Sequence, residues 1–129
     1  MAEVTGKNSE DNFNGNDEIA KEECTPVPSN LLETIPVDEE VQDLSEFFKV
    51  FGDPTRLRIL SILSEKPLCV HTISETLDMQ QTAISHQLKI LRHNRLVRYR
   101  KEGKHVFYSL KDSHINEIIN TGLEHIREQ

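Results

Sequence analysis

The sequence predicts a mainly α-helical domain carrying one small β-hairpin, and three observations predict it. Apolar residues recur at helical spacing through most of the chain after Pro36. Two β-branched and aromatic runs, 97–100 and 105–110, flank a short polar stretch containing Gly103. Residues 80–104 form a basic block in an otherwise acidic chain. At 129 residues, one compact domain is expected. The formal net charge of −7, taken whole, argues against a nucleic-acid binder. Its distribution argues the other way. Residues 80–104 hold seven Lys and Arg against one acid, Glu102, whereas 1–36 hold two against eight and 37–79 four against nine. Such asymmetry marks a local polyanion-binding surface.

Residues 1–36 are rich in Glu, Asp, Asn, Ser and Pro without a sustained period, so they are read as a disordered acidic tail ahead of a domain over 37–129. Val41, Leu44, Phe47, Phe48 and Phe51 then follow helical spacing, and Gly52 ends that helix. Asp53-Pro54 starts the next, with Asp as N-cap and Pro at the first helical position. Leu57, Ile59, Leu60, Ile62 and Leu63 make it nearly all apolar, hence central. After Lys66-Pro67, Thr72 with Glu75 matches a capping box for a short helix through Leu77. A turn near Asp78-Met79 leads to a helix from about Gln81 to His93, with Ile84, Leu88 and Leu91 facing inward. A four-residue loop, 101–104, joins the two strands of the hairpin. The last helix runs from about Ser113 to Arg127, with an apolar stripe of Ile115, Ile118, Ile119, Leu123 and Ile126.

Two short helices joined by a tight turn, the second polar outside, suggest helix-turn-helix, although an ordinary helical hairpin shares the pattern. The basic hairpin that follows turns the reading toward a winged helix-turn-helix. In that architecture the second helix enters the major groove of double-stranded DNA. Gln81, Thr82, Ser85, His86 and Gln87 are the candidate base contacts; Lys89, Arg92, Arg98, Arg100, Lys101 and Lys104 are the candidate phosphate contacts. Each basic residue alone also reads as solvated surface, but counterion release depends on their sum. The terminal amphipathic helix suggests a homodimer about a two-fold axis.

That helix carries Asp112-x-His114, ten intervening residues, and His125-x-x-Glu128. At about 100° per residue, His114 and His125 share a face; at about 1.5 Å rise, roughly 16 Å separates them. One helix cannot bring both to one ion, but an antiparallel copy can, creating the set twice per dimer. Two imidazoles and two carboxylates suit Zn2+, with Co2+ tolerated. Read blandly, both histidines are helix surface and Asp112 is only a cap. A second candidate joins Cys24 to Cys69-x-His71, a soft set suited to Cd2+, Pb2+ or Zn2+; a buried, inert Cys69 is its alternative.

Phe51-Gly-Asp-Pro-Thr-Arg-Leu-Arg-Ile-Leu60, Leu68-Cys-Val70, Ile84-Ser-His-Gln-Leu88 and Tyr99-Arg-Lys-Glu-Gly-Lys-His-Val-Phe-Tyr108 together resemble the ArsR/SmtB family of metal-sensing repressors over about residues 37–129. The resemblance implies an apo dimer that binds operator DNA and releases it on metal binding. Asp112, His114, His125 and Glu128 match, in type and spacing, the interface site of the family's zinc-sensing branch. It also implies a bond from the free ring nitrogen of His125 to a backbone carbonyl near Arg95. The chain departs from the pattern at the thiolate site: no histidine lies near Cys24, and Cys69-Val-His71 stands where cadmium and lead sensors have Cys-Val-Cys. The paired cysteines of the arsenic branch are missing.

No run of 18 apolar residues or secretion signal is visible, and two cysteines build no disulfide framework, so a cytoplasmic chain is expected. No His-Glu-x-x-His, nucleophile motif or glycine-rich phosphate loop points to an enzyme, and four protein ligands leave no open position for catalytic zinc. The expected function is zinc-responsive repression. The rivals are a soft-metal (Cd/Pb) or redox sensor using Cys24 and Cys69, and metal storage or hydrolysis.

Overall fold

The computed structural model describes residues 27–128. The residues up to Val41 and those from Gln42 onward form separate units. In the first, a 3-10 turn at Leu32–Thr34 precedes the start of helix α1 (Asp38–Phe51), whose first turn holds Asp38, Glu39 and Glu40 where the helix dipole favours acids. The remainder of the expected tail, and Cys24 with it, lies outside the described residues.

The second unit continues α1 and adds α2 (Pro54–Leu63), α3 (Val70–Leu77), α4 (Gln81–His93), β1 (Val97–Glu102), β2 (His105–Leu110) and α5 (Ser113–Arg127). Asp53 caps α2 as expected, its Oδ2 accepting the Arg56 backbone N–H at 3.0 Å. Ile59 and Leu60 are wholly enclosed and Leu63 nearly so, packed with Ile73, Ile84, Leu88, Leu91, Leu96 and Ile115. Helix α2 is therefore central, although Leu57 is exposed and Ile62 only half-buried.

Two local expectations are corrected. Helix α3 starts at Val70 with Cys69 as its N-cap, so Thr72 and Glu75 do not form a capping box. The reason lies one residue earlier. Leu68 is held extended against Tyr108 by two backbone hydrogen bonds of 2.9 and 2.8 Å, and the chain turns into helix directly after it. The hairpin connection also holds two residues rather than four. Glu102 pairs with His105, leaving Gly103 and Lys104 as the turn, with Gly103 at φ 63°. A glycine at the first turn position with positive φ suits the twist of a hairpin, so Lys101 and Glu102 join the strand.

Helices α3 and α4 end in the same way on unusual residues. Asp78 (φ 55°) and Arg95 (φ 64°) occupy the left-handed position that glycine normally fills. After α4, the Leu96 N–H reaches the Leu91 carbonyl at 2.9 Å and the Arg95 N–H reaches Arg92 at 3.0 Å, a Schellman closure. Leu91 and Leu96 are both fully buried members of the core, so the closure leads the chain from α4 into β1 through the interior.

A helix-turn-helix with a basic wing and candidate metal ligands

Helices α3 and α4, joined through Asp78, form the helix-turn-helix. Ile84, Leu88 and Leu91 anchor α4 to the core, so by helical period Gln81, Thr82, Ser85, His86 and Lys89 stand on its exposed side. Gln81 is not free: its Nε2 lies 3.2 Å from His71 Nδ1, tying the start of α4 to α3. Gln87 is half-buried, and its Oε1 accepts from Arg56 Nε of α2 at 2.9 Å. Its amide oxygen thus links α2 to α4.

Arg92 ends α4 with its guanidinium 4.9 Å from the centre of the Tyr99 ring, which joins helix to wing. On β1, Arg98 and Arg100 share one face by the two-residue period, paired with Ser109 and Phe107 across the hairpin. Arg100 Nε also meets the block's single acid, Glu102, at 2.7 Å. Lys101 and Lys104 are exposed at the wing tip. Arg56 is the basic residue that the charge pattern missed. It sits outside the basic block, and a contact between residues 31 apart leaves no local signal.

The four candidate metal ligands fall into two pairs. Asp112 caps α5, its Oδ1 accepting the His114 N–H at 2.9 Å and lying 3.1 Å from the ring Nδ1. His125 and Glu128 are exposed at the other end of α5, roughly 16 Å away by the helical rise. Among the described residues, no three His, Cys, Asp or Glu side chains come together to hold an ion. The donor types fit a divalent cation, but a single chain supplies only half a set at each end. Between the histidines, Ile118 and Thr121 lie on the same side of α5 by helical spacing, flanked by Glu117 and Gly122. A Cβ placed on Gly122 would meet nothing within 4 Å.

Cys69 Sγ lies 3.4 Å from Thr72 Oγ1, and hydrogen bonding by the Thr72 side chain, aided by backbone amides of the first turn, holds the thiol below its ordinary pKa against a small opposing effect of burial. His71 is two residues away, but its Nδ1 faces Gln81. No described helix is long and apolar enough to cross a membrane.

Comparison with known proteins agrees with this geometry. Residues 53–99 match the family described as bacterial regulatory protein, arsR family. The chain is 40% identical over 90 residues to a transcriptional repressor SmtB homolog of Synechocystis sp., covering 70% of this chain and 68% of that one. It is 37% identical over 87 residues to a cadmium resistance transcriptional regulatory protein CadC homolog of Staphylococcus aureus, covering 67% and 72%. The solution structure of apo-NmtR is similar at TM-score 0.64 and 29% identity, over 81% of this chain and 89% of that one. The homodimeric winged helix-turn-helix domain of a Mycobacterium bovis protein has TM-score 0.66 at 22% identity, covering 70% and 84%, which is a likeness of fold.

A core-anchored polar helix followed by a basic hairpin defines a winged helix-turn-helix DNA-binding regulator. The chain belongs to the arsR family of bacterial transcriptional regulators, as its motifs implied.

Proposed function

We propose that this regulator is a zinc-responsive repressor, a homodimer that binds operator DNA metal-free and lets go when metal binds between its C-terminal helices. The observation that carries the reading is the split of the ligand set. Asp112 and His114 stand at one end of α5 and His125 and Glu128 at the other, with Ile118 and Thr121 between them. An antiparallel second copy brings the opposite ends together, so each of two sites draws Asp112 and His114 from one protomer and His125 and Glu128 from its partner. A bound divalent cation would supply a cross-link between the two helices. Two nitrogen and two oxygen donors favour zinc, with cobalt tolerated.

Exposed apolar surface supports the dimer. Leu44 and Phe48 of α1 are 47% and 51% exposed, and Ile126 of α5 is 60% exposed. A groove of about 340 Å³ between these helices is lined by Phe48, Phe51, Leu57, Ile119, Leu123 and Ile126. In a two-fold dimer the α4 helices must reach successive major grooves, about 34 Å apart. Side chains that pin the α5 pair in one arrangement set the spacing of both α4 helices at once. A regulator working on operator DNA in this way acts in the cytoplasm.

The second reading assigns the signal to Cys24 and Cys69, as a soft-metal (cadmium or lead) or redox sensor. It is favoured by the lowered thiol of Cys69 and by the cadmium resistance named for one relative. The first reading is tested by fluorescence anisotropy of the metal-free protein on the DNA upstream of its own coding sequence, titrated with zinc and then a chelator. Zinc should release the DNA and chelation should restore binding, while His125→Ala should bind DNA and ignore zinc. A zinc response lost only when Cys24 and Cys69 are both replaced would favour the second reading.

A further inference from the structure

The charge pattern puts the DNA-binding basic residues in 80–104, yet the fold brings one cation from far outside it to the reading helix. Arg56 lies on the third residue of α2 and is half-buried; its Nε donates to Gln87 Oε1 of α4 at 2.9 Å. Among the described residues its guanidinium makes no ion pair; the Asp53 carboxylate accepts its backbone N–H instead. A guanidinium carries five N–H donors in a rigid plane, and a bond at Nε fixes that plane while leaving both terminal nitrogens available. Gln87, for its part, uses the oxygen that would accept from a base amine. It flanks His86 on a helix whose exposed side carries Ser85 and Lys89.

We infer that Arg56 is a further DNA-contacting residue: it grips a backbone phosphate beside α4, with Gln87 serving as the group that orients it. A planar fork held from behind matches the bidentate geometry of a phosphate. A structural role alone, joining α2 to α4, could be met by a neutral pair. The inference rests on the DNA-binding reading of α4 and adds a contact that comes from another helix.

The test is the salt dependence of affinity, which counts phosphate contacts. The wild-type homodimer, Arg56→Gln and Arg56→Lys are titrated by anisotropy on the same upstream duplex across a range of potassium chloride, with thermal melts to confirm folding. Loss of one phosphate contact per protomer lowers the slope of log affinity against log salt by about 0.9, so by about 1.8 for the dimer in Arg56→Gln. Arg56→Lys should keep the slope while binding more weakly, because the charge stays and the fork is lost. Arg58→Gln controls for bulk charge: Arg58 is exposed and about 200° around α2 from Arg56, and its loss should leave the slope in place. A wild-type slope in folded Arg56→Gln, or an equal drop in Arg58→Gln, overturns the inference. Failure of the wild-type protein to bind the duplex would instead remove the DNA-binding reading and this inference with it.

Discussion

Asp112 Oδ1 accepts the backbone N–H of His114 at 2.9 Å and lies 3.1 Å from the same residue's ring nitrogen, so one carboxylate closes the start of α5 and orients a candidate ligand. The two roles separate by substitution. Asn caps a helix as well as Asp, whereas Ala removes a cap at about 1 kcal/mol. Asp112→Ala should therefore lower the urea stability of the metal-free protein by about that amount, and Asp112→Asn should not. Both should weaken zinc binding about ten-fold or more, since each removes an anionic donor, and Ala also removes the acceptor that orients His114. Competition against a chromophoric chelator measures that loss. Equal zinc affinity in Asp112→Asn and wild type would leave Asp112 as a cap only.

Arg95 holds a left-handed backbone at φ 64° where the Schellman closure of α4 would suit glycine. For a residue with a Cβ that conformation costs roughly 1 kcal/mol or more, partly offset by glycine's greater freedom in the unfolded chain. Arg95→Gly should raise stability by up to about 1 kcal/mol, read as a higher denaturant midpoint at unchanged slope. A lower midpoint would mean that the Arg95 side chain makes a stabilising contact.

Hydrogen bonding from Thr72 lowers the pKa of Cys69. A lowered thiol pKa means that thiolate is present at lower pH than in a free cysteine, whose pKa is about 8.5. In a Cys24→Ser background, the alkylation rate of Cys69 should rise with a midpoint below that of a cysteine in an unstructured peptide measured alongside. Thr72→Val should move the midpoint up. An unchanged midpoint in Thr72→Val would assign the shift to the backbone of the α3 N-terminus.

Linkage between the two ligands must be reciprocal. If saturating zinc weakens operator binding by some factor, saturating operator DNA must lower the product of the dimer's two zinc binding constants by the same factor, with a coupling of commonly about 5- to 150-fold. Chelator competition with and without the duplex gives one value and anisotropy with and without zinc gives the other. Unequal factors would show that a third equilibrium, such as dimer dissociation, intervenes.

Much of the fold was legible because its signals are local. Asp53-Pro54 announces α2, the period of Ile84, Leu88 and Leu91 announces α4, and Gly103 between two β-branched runs announces the wing. The misreadings have non-local causes. The start of α3 is set by Leu68 pairing with Tyr108, forty residues on, and so Thr72 with Glu75 misled. Asp78 and Arg95 close helices without the glycine that would have marked them. At the DNA face, residue types were readable, but the engagement of Gln87 with Arg56 and of Gln81 with His71 depends on tertiary contacts. The candidate metal ligands were visible only as a spacing, since one chain leaves Asp112 with His114 and His125 with Glu128 at opposite ends of α5.

Whether each metal site is shared between protomers is decided by a mixed dimer. His114→Ala and His125→Ala each damage both shared sites in their own homodimer. A heterodimer of the two, isolated through different affinity tags, keeps one site intact: His114 of the second variant meets His125 of the first. Shared sites give about one tightly bound zinc per heterodimer by two-fold symmetry, and none of comparable affinity in either homodimer. A heterodimer that binds zinc no better than the two homodimers would contradict sharing.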